Sequence, residues 1–189
     1  CGSGGPKGAG KTTPVKMIGG AAPLTAGELT VFDMDVRREP RRIKARIGVC
    51  QQDDNLDPDF SVLKNLTGFG RYFGLPPATA ETRAHDLLGF MGLWERRTAR
   101  IRELSGGLKR RLVIARALMC TPSLLLLDEP LEGLAPLIVE ELARAMRRMT
   151  TEEGTALVLV EQHAEIALGL TEQVVVLERG RIAHRGRSP

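Results

Sequence analysis

Aromatic residues are scarce in this chain, 4% of 189 residues, and they do not alternate with the basic clusters "RREPRRIKAR" and "WERRTARIR". Proteins that bind nucleic acid by stacking combine positive charge with aromatic platforms. The net charge of +4 is therefore read as solvated helix faces, and no nucleic-acid partner is expected. Cysteine is also rare: Cys1, Cys50 and Cys120 lie too far apart for zinc-ligand spacing, and an odd count argues against a disulfide framework. A reducing compartment follows. No apolar run approaches the roughly 20 residues needed to cross a bilayer, and no signal peptide is recognisable, so any membrane role falls to a partner. What remains is ordinary globular composition, 42% hydrophobic and 26% charged. The length predicts one domain, or one domain with a subdomain.

Strands alternate with helices. A short helix is predicted from Lys11 to Ile18, and "GELTVFDMD" alternates like an exposed strand or hairpin. "RIGVC", "SLLLLDEP" and "TALVLVEQ" are short apolar runs of the kind that form parallel strands buried on both faces. Residues 53–102 read as helical, with "SVLKNLTGFGRYFG" and "ATAETRAHDLLGFMGL" separated by the turn "LPP". "GGLKRRLVIARALM" and "VEELARAMRRMT" are further helices, and "QVVVLERGRIAHRG" closes the chain as two strands turning at Arg179–Gly180. The pattern predicts an α/β fold with right-handed crossovers.

Three segments carry chemistry. "CGSGGPKGAGKTT" fits G-x-x-x-x-G-K-[ST] from Gly5 to Thr12. In such a loop the backbone N–H groups of Gly5, Pro6, Lys7, Gly8, Ala9, Gly10, Lys11, Thr12 and Thr13 (all but the proline) are candidates to surround nucleotide phosphates. Lys11 reaches the β/γ oxygens and the Thr12 hydroxyl binds Mg²⁺. Alone, this motif serves kinases, GTPases, helicases and transport ATPases alike. The second segment, "SLLLLDEP", ends a buried strand in Asp128, a carboxylate for Mg²⁺, followed by Glu129, which can polarise an attacking water. The third is "LSGGLKRR", Leu104 to Arg111, where Ser105 caps a helix. There Ser105, Gly106 and Gly107 offer backbone N–H groups and the positive helix end to an anion.

Phosphate loop, L-S-G-G and "LLLLDEP", in that order, resemble the ATP-binding (nucleotide-binding) domain of ABC transporters. Two further positions match: Gln52 in "RIGVCQQD" resembles the family's glutamine-loop residue, and His163 in "LVEQHAE" its switch histidine. The resemblance implies a P-loop NTPase fold, a parallel core sheet flanked by helices. Residues 1–52 and 103–189 would form the core of a single ABC ATPase domain and residues 53–102 a helical subdomain. It implies ATP and Mg²⁺ as ligands, with Thr12, Asp128 and Gln52 at the metal, Glu129 as general base and His163 on the γ-phosphate. It also implies a homodimer or heterodimer, with each ATP held between one phosphate loop and the other chain's L-S-G-G. The whole would sit at the inner face of the cell membrane through a transmembrane permease. The portion up to "LSGGLKRRL" looks like multidrug and nodulation-type exporter ATPases. "LLLLDEPLEGLAPLIVEEL" and "LVEQHAEIALGL" look like branched-chain amino-acid importer ATPases.

Departures accompany the match. Pro14 stands in the first helical turn, Lys7 where the family usually has Asn, Gln51 in place of a common proline, and Ala135 in place of an aspartate. Only Gly2, Ser3 and Gly4 represent the strand entering the phosphate loop, and no aromatic adenine platform precedes Lys11. The expectation is an N-terminally truncated domain whose first core strand is largely missing. The function expected is the ATP-binding and hydrolysing subunit that powers a permease. The alternatives are a truncated nucleotide-binding fragment with little turnover, or a non-transport ABC ATPase.

Overall fold

In the computed structural model, residues 2–4, 12–51, 54–152, 154–162 and 164–188 are described. A six-stranded sheet is built from β1 (Gly2–Gly4), β4 (Ile47–Cys50), β5 (Leu124–Asp128), β6 (Ala156–Val160), β7 (Gln173–Glu178) and β8 (Arg181–Arg187). Its order is β4-β5-β6-β1-β7-β8. All neighbours pair in parallel except β7 and β8, which form an antiparallel hairpin at one edge. The entering strand lies between "ALVLVE" and "QVVVLE": Gly2 pairs with Leu159 on one side and Val174 on the other. Its described part spans 3 residues, beside the 5 of β6 and the 6 of β7.

A separate hairpin joins β2 (Thr30–Val31) to β3 (Met34–Asp35). Its two central residues, Phe32 and Asp33, have φ of 54° and 60°. This is the left-handed pair that a two-residue hairpin turn demands. Phe32 tolerates it with the Arg46 guanidinium over its ring at 3.9 Å.

The strands alternate their side chains between two helical layers. On one face Leu126 and Val160 pack against Val15 of α1 (Thr12–Ile18). On the other, Leu125 and Leu127 join one continuous core with Leu112 and Ile114 of α5 (Gly106–Ala117) and Leu142 and Met146 of α6 (Pro136–Glu152). The same core takes in Val62 and Leu66 of α3 (Val62–Tyr72) and Leu87 and Leu88 of α4 (Pro77–Phe90). α3 begins on an N-cap, Ser61, whose side chain accepts from the Lys64 N–H at 3.2 Å, and its C-terminal turn leads to Gly74 at φ 88°. The "LPP" turn follows, and Pro77 opens α4 with the fixed φ suited to a first helical position.

Two helices are absent from the sequence pattern: α2 (Pro40–Lys44) and α7 (Ala164–Leu170). At 5 and 7 residues they are too short to display a 3.6-residue period. α2 buries only Ile43 and leaves Arg41 and Arg42 in solvent, in keeping with a solvated basic face. α6 begins three residues before "VEELARAMRRMT", because Pro136 serves as a helix start. No described helix is long and apolar enough to cross a membrane.

Candidate functional site

Parallel strands deliver their carboxyl ends to one edge of a sheet, and ligands of such sheets bind outside that edge. β1 ends at Gly4, β4 at Cys50, β5 at Asp128 and β6 at Val160. The phosphate-loop segment, the glutamine-loop segment, the Asp128–Glu129 pair and the segment around residues 161–163 thus leave from the same edge. Gly5, Pro6, Lys7, Gly8, Ala9, Gly10, Lys11, Gln52 and His163 lie outside the described residues, as does Cys1. Thr12 begins α1, and Thr13 and Pro14 are exposed in its first turn.

Asp128 closes β5, paired with Val160, and is 4% exposed. Glu129 follows at 9% exposure with φ 48°, the left-handed region that a side chain at this position adopts only at a cost. Strained backbone of this kind costs on the order of 1–3 kcal/mol and concentrates at functional sites. Hydrogen bonds to the end of β6 hold it. The Glu129 N–H donates to the Val160 carbonyl at 2.9 Å, and Gln162 Nε2 donates to Glu129 Oε1 at 2.8 Å. Glu161, 1% exposed, accepts from the Leu131 N–H at 3.0 Å and from the Gln162 N–H at 3.2 Å, tying the end of β6 to the turn after Glu129.

Mg²⁺ takes few protein ligands, one or two carboxylates plus phosphates and water, rather than an all-protein cage. The described residues contain no group of three or more His, Cys, Asp or Glu able to hold a metal. The buried Asp128 carboxylate at the end of β5 is a donor of the kind that Mg²⁺ takes beside a nucleotide phosphate. The residues present fit the ion.

Ser105, Gly106 and Gly107 sit where α5 begins. The Ser105 hydroxyl accepts from the Leu108 N–H at 3.4 Å, the expected N-cap. The two glycines differ in role. A Cβ on Gly107 would come within 3.1 Å of Ile138 at the start of α6, so Gly107 allows close packing. A Cβ on Gly106 would meet nothing within 4 Å, so its exposed backbone faces open space.

Two arginines escaped the sequence reading. Arg110 is buried, with Nε donating to the Pro130 carbonyl at 2.9 Å, Nη2 to the Asp128 carbonyl at 2.8 Å and Nη1 to the Gln51 carbonyl at 2.6 Å. Arg116 donates to the Asp54 and Asn55 carbonyls at 3.1 and 2.5 Å. Both lie on α5, and together they hold the backbone on either side of residues 52–53. Asn65 fixes the stretch beyond: its amide donates to the Asp57 and Ser61 carbonyls and its Oδ1 accepts from the Asp57 N–H. Beside this loop a cavity of about 350 Å³ opens, lined in part by Gln51, Asn55, Phe69, Phe73 and Arg116. Tyr72, at 86% exposure, and Phe73 stand in solvent next to it.

The ABC transporter family model matches residues 4–132. The Nod factor export ATP-binding protein I of Paraburkholderia xenovorans (strain LB400) is 43% identical over 181 residues, covering 94% of this chain and 58% of that protein. The same-named protein of Rhizobium etli is 41% identical over 183 residues, with 97% and 58% covered. The chain thus spans a little over half the length of these relatives, and the likeness runs across both the exporter-like and the importer-like portions. Among solved structures, the dimeric post-hydrolysis state of the ATP-binding cassette MJ0796 bound to ADP and Pi superposes with a TM-score of 0.90 at 25% identity, covering all of this chain and 84% of that one. CbiO1 from Clostridium perfringens, part of the ABC transporter complex CbiONQ, gives 0.89 at 25% identity, covering 99% and 76%. Ordered motifs, sheet topology and these likenesses converge on one statement: the chain belongs to the ABC transporter family, in its ATP-binding cassette.

Proposed function

We propose that this chain binds Mg·ATP, pairs with a second cassette and hydrolyses the β–γ bond to drive a separate transmembrane permease. The observation that carries the reading is the buried Asp128–Glu129 pair at the carboxyl end of β5, with Glu129 held in a left-handed conformation and hydrogen-bonded to Gln162. Lys11 and the loop amides from Gly5 to Thr13 neutralise phosphate charge. Thr12, Asp128 and Gln52 would hold Mg²⁺, which when bound draws charge from the phosphate oxygens. Glu129 takes a proton from the attacking water, and His163 steadies the γ-phosphate. Ser105, Gly106 and Gly107 present the start of α5 to the nucleotide of the opposite chain in a head-to-tail pair; the dimeric cassette among the neighbours supports pairing as such.

Residues 53–102 act as a helical subdomain that docks a permease segment beside Gln52. The support is the cavity lined by Gln51 and the exposed Phe73, with the exposed Tyr72 ring edge-on to Phe73. The names of the relatives favour export as the direction of transport.

The test is Glu129→Gln. General-base assistance is worth on the order of 10²–10⁴ in rate. Turnover should fall by that factor while Mg·ATP still binds and the closed dimer persists. Unchanged hydrolysis in this variant would sink the assignment.

A further inference from the structure

At the far end of α4 from the "LPP" turn, a cavity of about 360 Å³ opens between the α4 terminus, α5 and α6. Its walls carry three guanidiniums, Arg111, Arg144 and Arg148, against a single carboxylate, Glu141. Arg111 is fixed: Nη1 donates to the Met91 carbonyl at 3.3 Å and Nη2 pairs with Glu141. Its Nε is buried without a hydrogen-bond partner among the described residues, so the pair leaves this guanidinium under-satisfied. Arg148 lies 4.7 Å over the Phe90 ring and reaches Glu152 at 3.3 Å. Arg144 makes no hydrogen bond or ion pair among the described residues and is exposed. Arg144 and Arg148 are one turn apart on α6, a like-charge spacing that costs a few tenths of a kcal/mol.

The opposite rim is bare. A Cβ on Gly89 would meet nothing within 4 Å, and Gly92, at φ 66°, brings only the Arg111 Nη1 within 3.4 Å of a Cβ. The site thus has positive charge from two helices, an aromatic floor in Phe90 and an open mouth. We infer that it binds a small organic anion, a phosphate or carboxylate group carried on an apolar body, with Arg144 and Arg148 on the anionic group and Phe90 against the body. Guanidinium forks suit either oxyanion. The site is separate from the carboxyl edge of the sheet, and a ligand there would bridge α4 to α6.

The experiment titrates phenyl phosphate, benzoate and inorganic phosphate, each alone and with Mg·ADP saturating the phosphate loop. Trp94, the only tryptophan, three residues beyond Met91, reports binding by fluorescence. Saturable binding of phenyl phosphate or benzoate that survives Mg·ADP is expected, weakened tenfold or more in the Arg144→Ala/Arg148→Ala double variant. Inorganic phosphate should bind more weakly than phenyl phosphate. An Arg41→Ala/Arg42→Ala variant, which removes the same charge from exposed α2, should bind as the parent does. Loss of binding under Mg·ADP, equal weakening in both double variants, or no saturable binding would overturn the inference.

Discussion

Gln162, on the loop leaving β6, donates a 2.8 Å hydrogen bond to Oε1 of Glu129, on the loop leaving β5. The carboxylate proposed to take the proton is thereby aimed by a neighbour 33 residues away. Replacing Gln162 by Leu removes the donor and keeps the bulk. Because small misplacements of a reacting group cost up to about 10² in rate, kcat should fall roughly tenfold with little change in KM for ATP. Steady-state kinetics check this; a KM increase with unchanged kcat would assign Gln162 to nucleotide binding instead.

Arg110 is a stability prediction. Its fork satisfies three backbone carbonyls on two segments, Gln51 after β4 and Asp128 and Pro130 at the end of β5. Lysine keeps the charge but cannot match that fork, and a hydrogen bond to a charged group contributes about 1.5–3 kcal/mol. Arg110→Lys should therefore lose about 2–3 kcal/mol, a drop of roughly 5–10 °C in Tm for a chain of this size. Thermal unfolding decides it.

Gly48, in β4, leaves no room for a methyl group. A Cβ there would stand 2.4 Å from the Ala117 carbonyl oxygen and 3.0 Å from Leu125. Gly48→Ala must push α5 off the sheet, and overpacking of this kind costs about 1–3 kcal/mol. Chemical denaturation should register the loss, with Gly106→Ala, whose Cβ meets nothing, as the near-neutral control.

The thiols give a pH prediction. Burial pushes the Cys50 thiol up from 9.0 to about 11, and burial also raises Cys120, which is half-buried. Below pH 9 both folded and unfolded chains keep Cys50 protonated, so its contribution to stability is complete. Between about pH 9 and 11 the unfolded chain loses the proton and the folded chain does not. Stability should then fall by about 1.4 kcal/mol per pH unit. Cys50→Ser or Cys50→Ala should remove the Cys50 share of this dependence and leave only the part owed to Cys120. In alkylation at pH 8, Cys50 should react only on unfolding.

Much of this architecture was legible because the signals are local. "LLLLD" and "ALVLV" announce buried strands by continuous apolarity, and Ser105 announces a helix start by capping. The order of phosphate loop, L-S-G-G and "LLLLDEP" announces the family. Other features were hidden for physical reasons. Arg110 and Arg116 look in sequence like Arg41 and Arg42, which face solvent. What separates them is burial against carbonyls 59 and 62 residues away, a relation no local pattern encodes. The left-handed backbone of Glu129 is equally silent, since no glycine marks it.

The two arginines of α5 also set how motion is shared. Gln51 on one side, and Asp54 and Asn55 on the other, are bonded to side chains projecting from a single rigid rod. The same rod begins at Ser105. Gln51, Asp54 and Asn55 are therefore carried in the helix's own frame of reference, so a tilt of α5 that advances its L-S-G-G end displaces these three residues as a lever displaces its far arm.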